Sequence, residues 1–170
     1  MNVEYLYIIL NYLSALSKRD RILVLCMPLL LTIGLAGSQL VFSTSKEFSM
    51  GIHESLAFLR ILLGFTMASF ALFLTKSPSL EEAKKFTTEI ILNNKKLNLY
   101  EYIVLSFTYL IIIEVLVQLF YFTYSFVPFN VSGNLRQVLH SLYLFVFFHL
   151  MFSTIKVITE IYHTLLYNRG

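Results

Sequence analysis

Four apolar runs of about 20 residues constrain this chain more than any other feature. They are Ile22–Phe42, Leu56–Leu74, Ile103–Phe126 and Val138 to about Ile158. A helix rising about 1.5 Å per residue crosses the roughly 30 Å hydrocarbon layer of a bilayer in about 20 residues, so each run is long enough to span it. Composition agrees: 57% of the 170 residues are hydrophobic and 14% charged, whereas a soluble domain carries about a quarter charged residues. The runs leave no polar block longer than about 25 residues, which excludes a sizeable water-soluble catalytic domain.

The expected fold is an all-α membrane protein of one multi-pass domain, residues 1–170. It has four transmembrane helices in two hairpins, a cytoplasmic loop over 75–102 and both termini cytoplasmic. Orientation follows from Lys and Arg, which are retained on the inner side when they lie in short flanking segments. Lys18, Arg19, Arg21, Lys76, Lys84, Lys85, Lys95, Lys96, Lys156 and Arg169 fall on one side, and Lys46 and Arg136 on the other. With no cleavable leader evident in MNVEYLYIILNYLSALS, this bias fits a bacterial inner (cytoplasmic) membrane. That opening segment is too short to span. Its polar residues Glu4, Asn11, Ser14 and Lys18 follow one stripe, as expected of an interfacial helix or of one packed on another subunit. Tyr5, Tyr7, Tyr100, Tyr102, Tyr121, Tyr124, Tyr162 and Tyr167 lie near span ends, where a ring with one wet edge is favoured.

Within the loop, Ser79 precedes Glu82 at capping-box spacing, just after Pro78, so a short cytoplasmic helix is predicted to start there. Leu80, Ala83, Phe86 and Ile90 share a face, and the helix is expected to run to Asn93-Asn94-Lys95-Lys96. Lys84, Lys85, Phe86, Lys95 and Lys96 are candidates for docking a cytoplasmic protein, unless the segment is only a solvated connector. The fourth periodic pattern runs on to Leu166, beyond bilayer length.

Ionisable groups inside spans are costly and need partners. Arg60 and Glu114 sit at about 21 and 17 Å from the cytoplasmic edge by helical rise, so a salt bridge between spans two and three is geometrically available. Gln118, Tyr121 and Ser125 continue the Glu114 face, and His140 enters from span four. On the inner half of span four, His149, Ser153, Lys156, Glu160 and His163 recur at steps of four, three, four and three. Each polar seam is either structural glue or the lining of a pore. Small residues Gly34, Gly37 and Ser38 in span one, and Gly64 and Ala68 in span two, are candidates for close helix approach, between these spans or with another subunit. Pro28 is expected to kink span one.

No hydrolase elbow, phosphate loop, His-Glu-x-x-His or Cys-x-x-Cys occurs, and the single Cys26 can form neither an intramolecular disulfide nor a metal cage. The reading assigns no catalytic residue, metal or cofactor. The basic residues cluster at span ends without the aromatic interleaving of a nucleic-acid surface, so the lipid bilayer is the expected partner. Two functional classes follow: a homo-oligomeric channel, pore or membrane-permeabilising effector, or an accessory or scaffold subunit of a larger membrane complex.

Overall fold

The structure is a computed structural model. It describes the backbone of residues 3–42, 45–75, 78–92, 94–126 and 133–167, and the side chains of 6–37, 54–75, 81, 83–92, 94–123 and 138–162. It is mostly helical, in the order α1 (Val3–Ala15), α2 (Lys18–Arg21), a π-helical turn (Ile22–Cys26), α3 (Met27–Phe42), α4 (Ser45–Leu74), α5 (Pro78–Lys85), β1 (Thr87–Leu92), β2 (Lys95–Asn98), α6 (Leu99–Phe126) and α7 (Gly133–Tyr167). Four stretches are long and apolar enough to cross a membrane: Lys18–Gly37, Glu54–Leu74, Leu99–Thr123 and Val138–Tyr162. The chain is a multi-pass membrane protein by this measure.

The spans do not pack in sequence order. The first lies chiefly against the fourth, the fourth against the third, and the third against the second. Burial follows this order, at 33% and 39% of the third and fourth spans but 17% of each of the first two. The core therefore sits on α6 and α7, where Ile103, Phe107, Leu110, Leu150 and Val157 meet Tyr12 of α1, Leu16 just after it and Val24 of the π-turn. Aromatic pairs set the α4–α6 register, with Phe70 against Phe107 at 5.3 Å and Phe73 stacked on Tyr100 at 5.7 Å.

Three elements differ from the sequence expectation. The loop helix stops at Lys85, and an antiparallel hairpin takes the place of its predicted second half. β-Branched residues Thr87, Thr88, Ile90 and Ile91 favour the pleated strand, and Asn94 takes φ 63°, a left-handed conformation that Asn tolerates. Helix α6 starts at Leu99, four residues before the expected boundary. The Asn98 side chain accepts from the Glu101 N–H (2.7 Å) while the Glu101 carboxylate accepts from the Asn98 N–H (3.0 Å), a reciprocal cap. The backbone before Glu54 is helical from Ser45 rather than a loop. Expectations that hold include the long fourth helix: α7 runs 35 residues, about 52 Å.

Pro28 is accommodated by the π-turn immediately before it, a common way for a helix to absorb a residue without an N–H. Its missing proton leaves the carbonyl of Val24, four residues earlier, without its usual helical donor.

Candidate functional site

That carbonyl is where the inner polar seam begins. His149 of α7, 5% exposed, donates from Nδ1 to the Val24 carbonyl at 2.7 Å. A carbonyl only accepts, so Nδ1 carries a proton, and Nε2 is hydrogen-bonded to the Tyr109 hydroxyl of α6. Tyr109 stacks on Tyr12 of α1, with ring centroids 3.9 Å apart. Four helical segments thus converge on one imidazole and the rings beside it.

One helical turn further along α7, Ser153 is fully buried, and beyond it Lys156 is 5% exposed. The Lys156 ammonium donates to the Tyr102 hydroxyl and to Glu160, lies 3.7 Å from the Asp20 carboxylate, and sits over the Tyr102 ring at 4.8 Å. Asp20 is fixed by Ser17, whose hydroxyl donates to the carboxylate at 2.7 Å and accepts from the Asp20 N–H at 3.2 Å. Arg21 in turn donates to the carbonyls of Leu16 (3.1 Å) and Ser14 (3.3 Å), satisfying orphan acceptors at the C-terminus of α1. Burial raises the Tyr12 phenol above its ordinary pKa. The seam predicted from helical spacing is therefore built as His149, Ser153, Lys156 and Glu160, and its partners come from the N-terminal segments and from α6 of the same chain. His163 continues the helix, but its side chain lies outside the described residues.

Sequence reasoning missed Tyr12, Asp20 and Tyr109, and it assigned Tyr102 to an interfacial belt although only 3% of it is exposed. The one available signal was the pairing of Lys156 with a nearby acid, which spacing supplied for Glu160 and not for Asp20. Loss of the His149 bond gives a direct test. His149→Ala strands a buried carbonyl at a cost of about 1–3 kcal/mol, and amide exchange over Ile22–Leu29 should accelerate well beyond that of α6; unchanged exchange there would separate the π-turn from His149.

The outer seam differs from expectation. Glu114 is fully buried, and Oε1 accepts from the Thr66 hydroxyl at 3.2 Å, while Oε2 has no hydrogen-bond partner. No Arg60–Glu114 ion pair forms among the described residues. The aromatic register levels Arg60 with Gln118, and Thr66, opposite Glu114, lies six residues and about 9 Å beyond Arg60 on another face of α4. Arg60 is exposed and, with Gln118, lines a crevice of about 470 Å³ between α4 and α6. His140 is half-buried on α7, with contacts of its own.

Small residues do not meet within the chain. A Cβ added at Gly34, Gly37 or Gly64 meets no atom within 4 Å, and Ala68 is exposed, so the expected approach of spans one and two is not made in a single copy. Ser38 lies outside the described side chains. On the hairpin side, Lys84 donates to Glu81 (2.9 Å) and Lys95 to Glu101 (2.8 Å), while Lys85 and Lys96 are exposed and Phe86 is 52% exposed. Ala83, at 1%, anchors α5. No cluster of His, Cys, Asp and Glu suited to a metal ion occurs among the described residues.

No protein-family model, curated protein or solved structure matches the chain.

Proposed function

We propose that the protein is a non-enzymatic multi-pass membrane protein that self-associates into a homo-oligomeric channel, pore or membrane-permeabilising assembly. The observation that carries this reading is the bare small-residue surface of the first two spans. A Cβ at Gly34, Gly37 or Gly64 would meet no neighbouring element within 4 Å, and small residues in membrane helices serve close backbone approach between helices. Four helices enclose little more than their own side chains, so a path for ions needs several copies. The inner seam is occupied by Tyr12, Asp20, Tyr102 and Tyr109 within one chain, which leaves Arg60 and Gln118, among the described residues, as the candidates to line a path between copies.

In this reading both termini and the hairpin are cytoplasmic in a bacterial inner membrane, and α1 lies at the interface. Its exposed Leu6, Tyr7 and Leu10 (56%, 53% and 55%) suit a lipid-facing side, opposite the buried Tyr12 and Leu16.

The test is the mass of the particle purified without any partner, by native mass spectrometry, followed by conductance in planar bilayers. A closed ring of identical subunits that conducts is the expected result. Gly34→Leu with Gly64→Leu should reduce that ring to smaller species while leaving the melting of the single chain unaffected, because a Cβ at either position lies in open space, with no neighbouring element within 4 Å. A monomer without conductance overturns the reading.

A second reading has its own observation. The hairpin displays Phe86 and Ile91 (52% and 60% exposed) beside exposed Lys85 and Lys96, an apolar and basic surface suited to a cytoplasmic protein. It makes the chain an accessory or scaffold subunit. Purification as a stable species only together with a second polypeptide, lost on charge reversal at Lys84 and Lys85, is the outcome that reading expects.

A further inference from the structure

The crevice between α4 and α6 is walled by Leu56, Leu63, Val115, Leu119 and Phe122, with Arg60 and Gln118 among its polar residues. A volume of about 470 Å³ falls in the usual range for small-molecule pockets, roughly 300–1,000 Å³, and an apolar lining with a few converging polar groups is their usual chemistry. The two polar groups lie level. Arg60 is about 9 Å inside the Glu54 end of its span, and Gln118 about 7.5 Å inside the Thr123 end of the antiparallel neighbour. At that depth the guanidinium reaches toward the headgroup layer while its alkyl stem remains in hydrocarbon.

Neither group is satisfied among the described residues. Arg60 has no acidic partner among the described residues, since Glu114, the acid within reach by helical rise, is turned to Thr66. The Gln118 amide nitrogen is itself buried and makes no hydrogen bond among the described residues, so it serves the crevice only once its terminal torsion turns. A guanidinium at the bilayer centre costs about 2.5–3.5 kcal/mol on insertion scales; reaching toward the headgroups lowers that cost, and an intramembrane charge is normally paired where it comes to rest. The missing partner is therefore a negative one. The planar guanidinium fork matches two oxygens of a phosphate or carboxylate, and the Gln118 amide supplies a neutral donor beside it through rotation about its soft terminal torsion.

We infer that the crevice is a binding site for an oxyanion, a phosphate or carboxylate group, held by Arg60 and Gln118. Two sources share this chemistry: the headgroup of an anionic lipid, whose acyl chain the apolar walls accept, and a free anion. All the walls belong to one chain, so the site does not depend on the assembly proposed above, and it is tested by binding rather than by conductance.

The experiment is native mass spectrometry of the purified full-length protein titrated with phosphatidylglycerol, with phosphatidylcholine and with inorganic phosphate. Wild type should retain phosphatidylglycerol in preference to phosphatidylcholine, or else bind inorganic phosphate. Retention of phosphatidylglycerol unaffected by millimolar phosphate identifies the lipid as the source. Binding of phosphate that displaces the lipid identifies the free anion. Arg60→Gln should weaken the bound species about tenfold, equivalent to about 1.4 kcal/mol, with unchanged melting because Arg60 has no partner to lose among the described residues. Should Arg60→Gln melt early, Gln118→Leu carries the test, with a several-fold loss expected. Equal retention of phosphatidylglycerol and phosphatidylcholine by wild type with no phosphate bound, or equal anion binding by wild type and both variants, overturns the assignment.

Discussion

Lys156→Met is expected to destabilise the protein by about 3 kcal/mol, read as thermal melting in detergent at neutral pH. The side chain is 4% exposed and its ammonium faces the carboxylates of Glu160 and Asp20 and the Tyr102 hydroxyl. Methionine fills the same space, so the loss is electrostatic: two carboxylates remain in a partly desolvated pocket without their cation. The attribution can be separated from packing by the double variant Lys156→Met, Glu160→Gln, which removes one of the stranded charges. It should melt above the single variant. If the two melt together, the stability of this region does not come from the charge cluster.

Tyr12→Ala should cost about 3–5 kcal/mol, the range for deleting a buried aromatic side chain. Tyr12 is 0% exposed and stacked on Tyr109, so its loss empties the contact that holds α1 on α6. The phenol oxygen contributes little, since it faces Ser153 without a well-formed hydrogen bond. Tyr12→Phe should accordingly stay within about 1 kcal/mol of wild type. Limited proteolysis gives the second readout: the Leu16-Ser17 connection should be cut faster in Tyr12→Ala and at the wild-type rate in Tyr12→Phe. Equal cutting in both variants would mean that α1 is held elsewhere.

These two residues mark where local reading of the sequence was and was not sufficient. Lys156 stood out because a cation inside an apolar run is costly wherever the helix faces, and its i, i+4 spacing to Glu160 follows from helical geometry alone. Tyr12 carried no such signal, since a tyrosine in an apolar amphipathic segment is compatible with lipid, headgroup or protein surroundings. The same limit explains the hairpin. Charge pattern favoured a continued helix over Phe86 to Leu92, but the β-branched run Thr87-Thr88 and Ile90-Ile91, together with tethering to α6 through the Leu99 N–H to Phe86 carbonyl bond (2.8 Å), decided for strands. The Asn98–Glu101 cap was available in the sequence as Asn-x-x-Glu and marks the true start of α6.

The outer seam shows how register governs chemistry. Counting residues from a presumed membrane edge placed Arg60 and Glu114 within one turn of each other, which is too coarse to choose a partner. Packing of Phe70 and Phe73 against Phe107 and Tyr100 brought Arg60 level with Gln118 instead, and turned Glu114 to Thr66. A shift of one turn replaces an internal ion pair by an exposed cation beside a crevice.

By itself the sequence determined the number and approximate place of the four membrane-length apolar stretches, because hydropathy over about 20 residues is a sum over local transfer free energies and needs no neighbour. It also determined that span four carries one continuous polar face, since the helical period fixes which residues share a side. Only the tertiary structure decided what those faces meet. The order in which spans pack, the donation from His149 to the carbonyl freed by Pro28, and the enclosure of Lys156 by Asp20 and Tyr102 all depend on helix rotation and register. Those are set by interdigitation of side chains from segments as far as 136 residues apart in the chain, as between Asp20 and Lys156, and no local pattern encodes them.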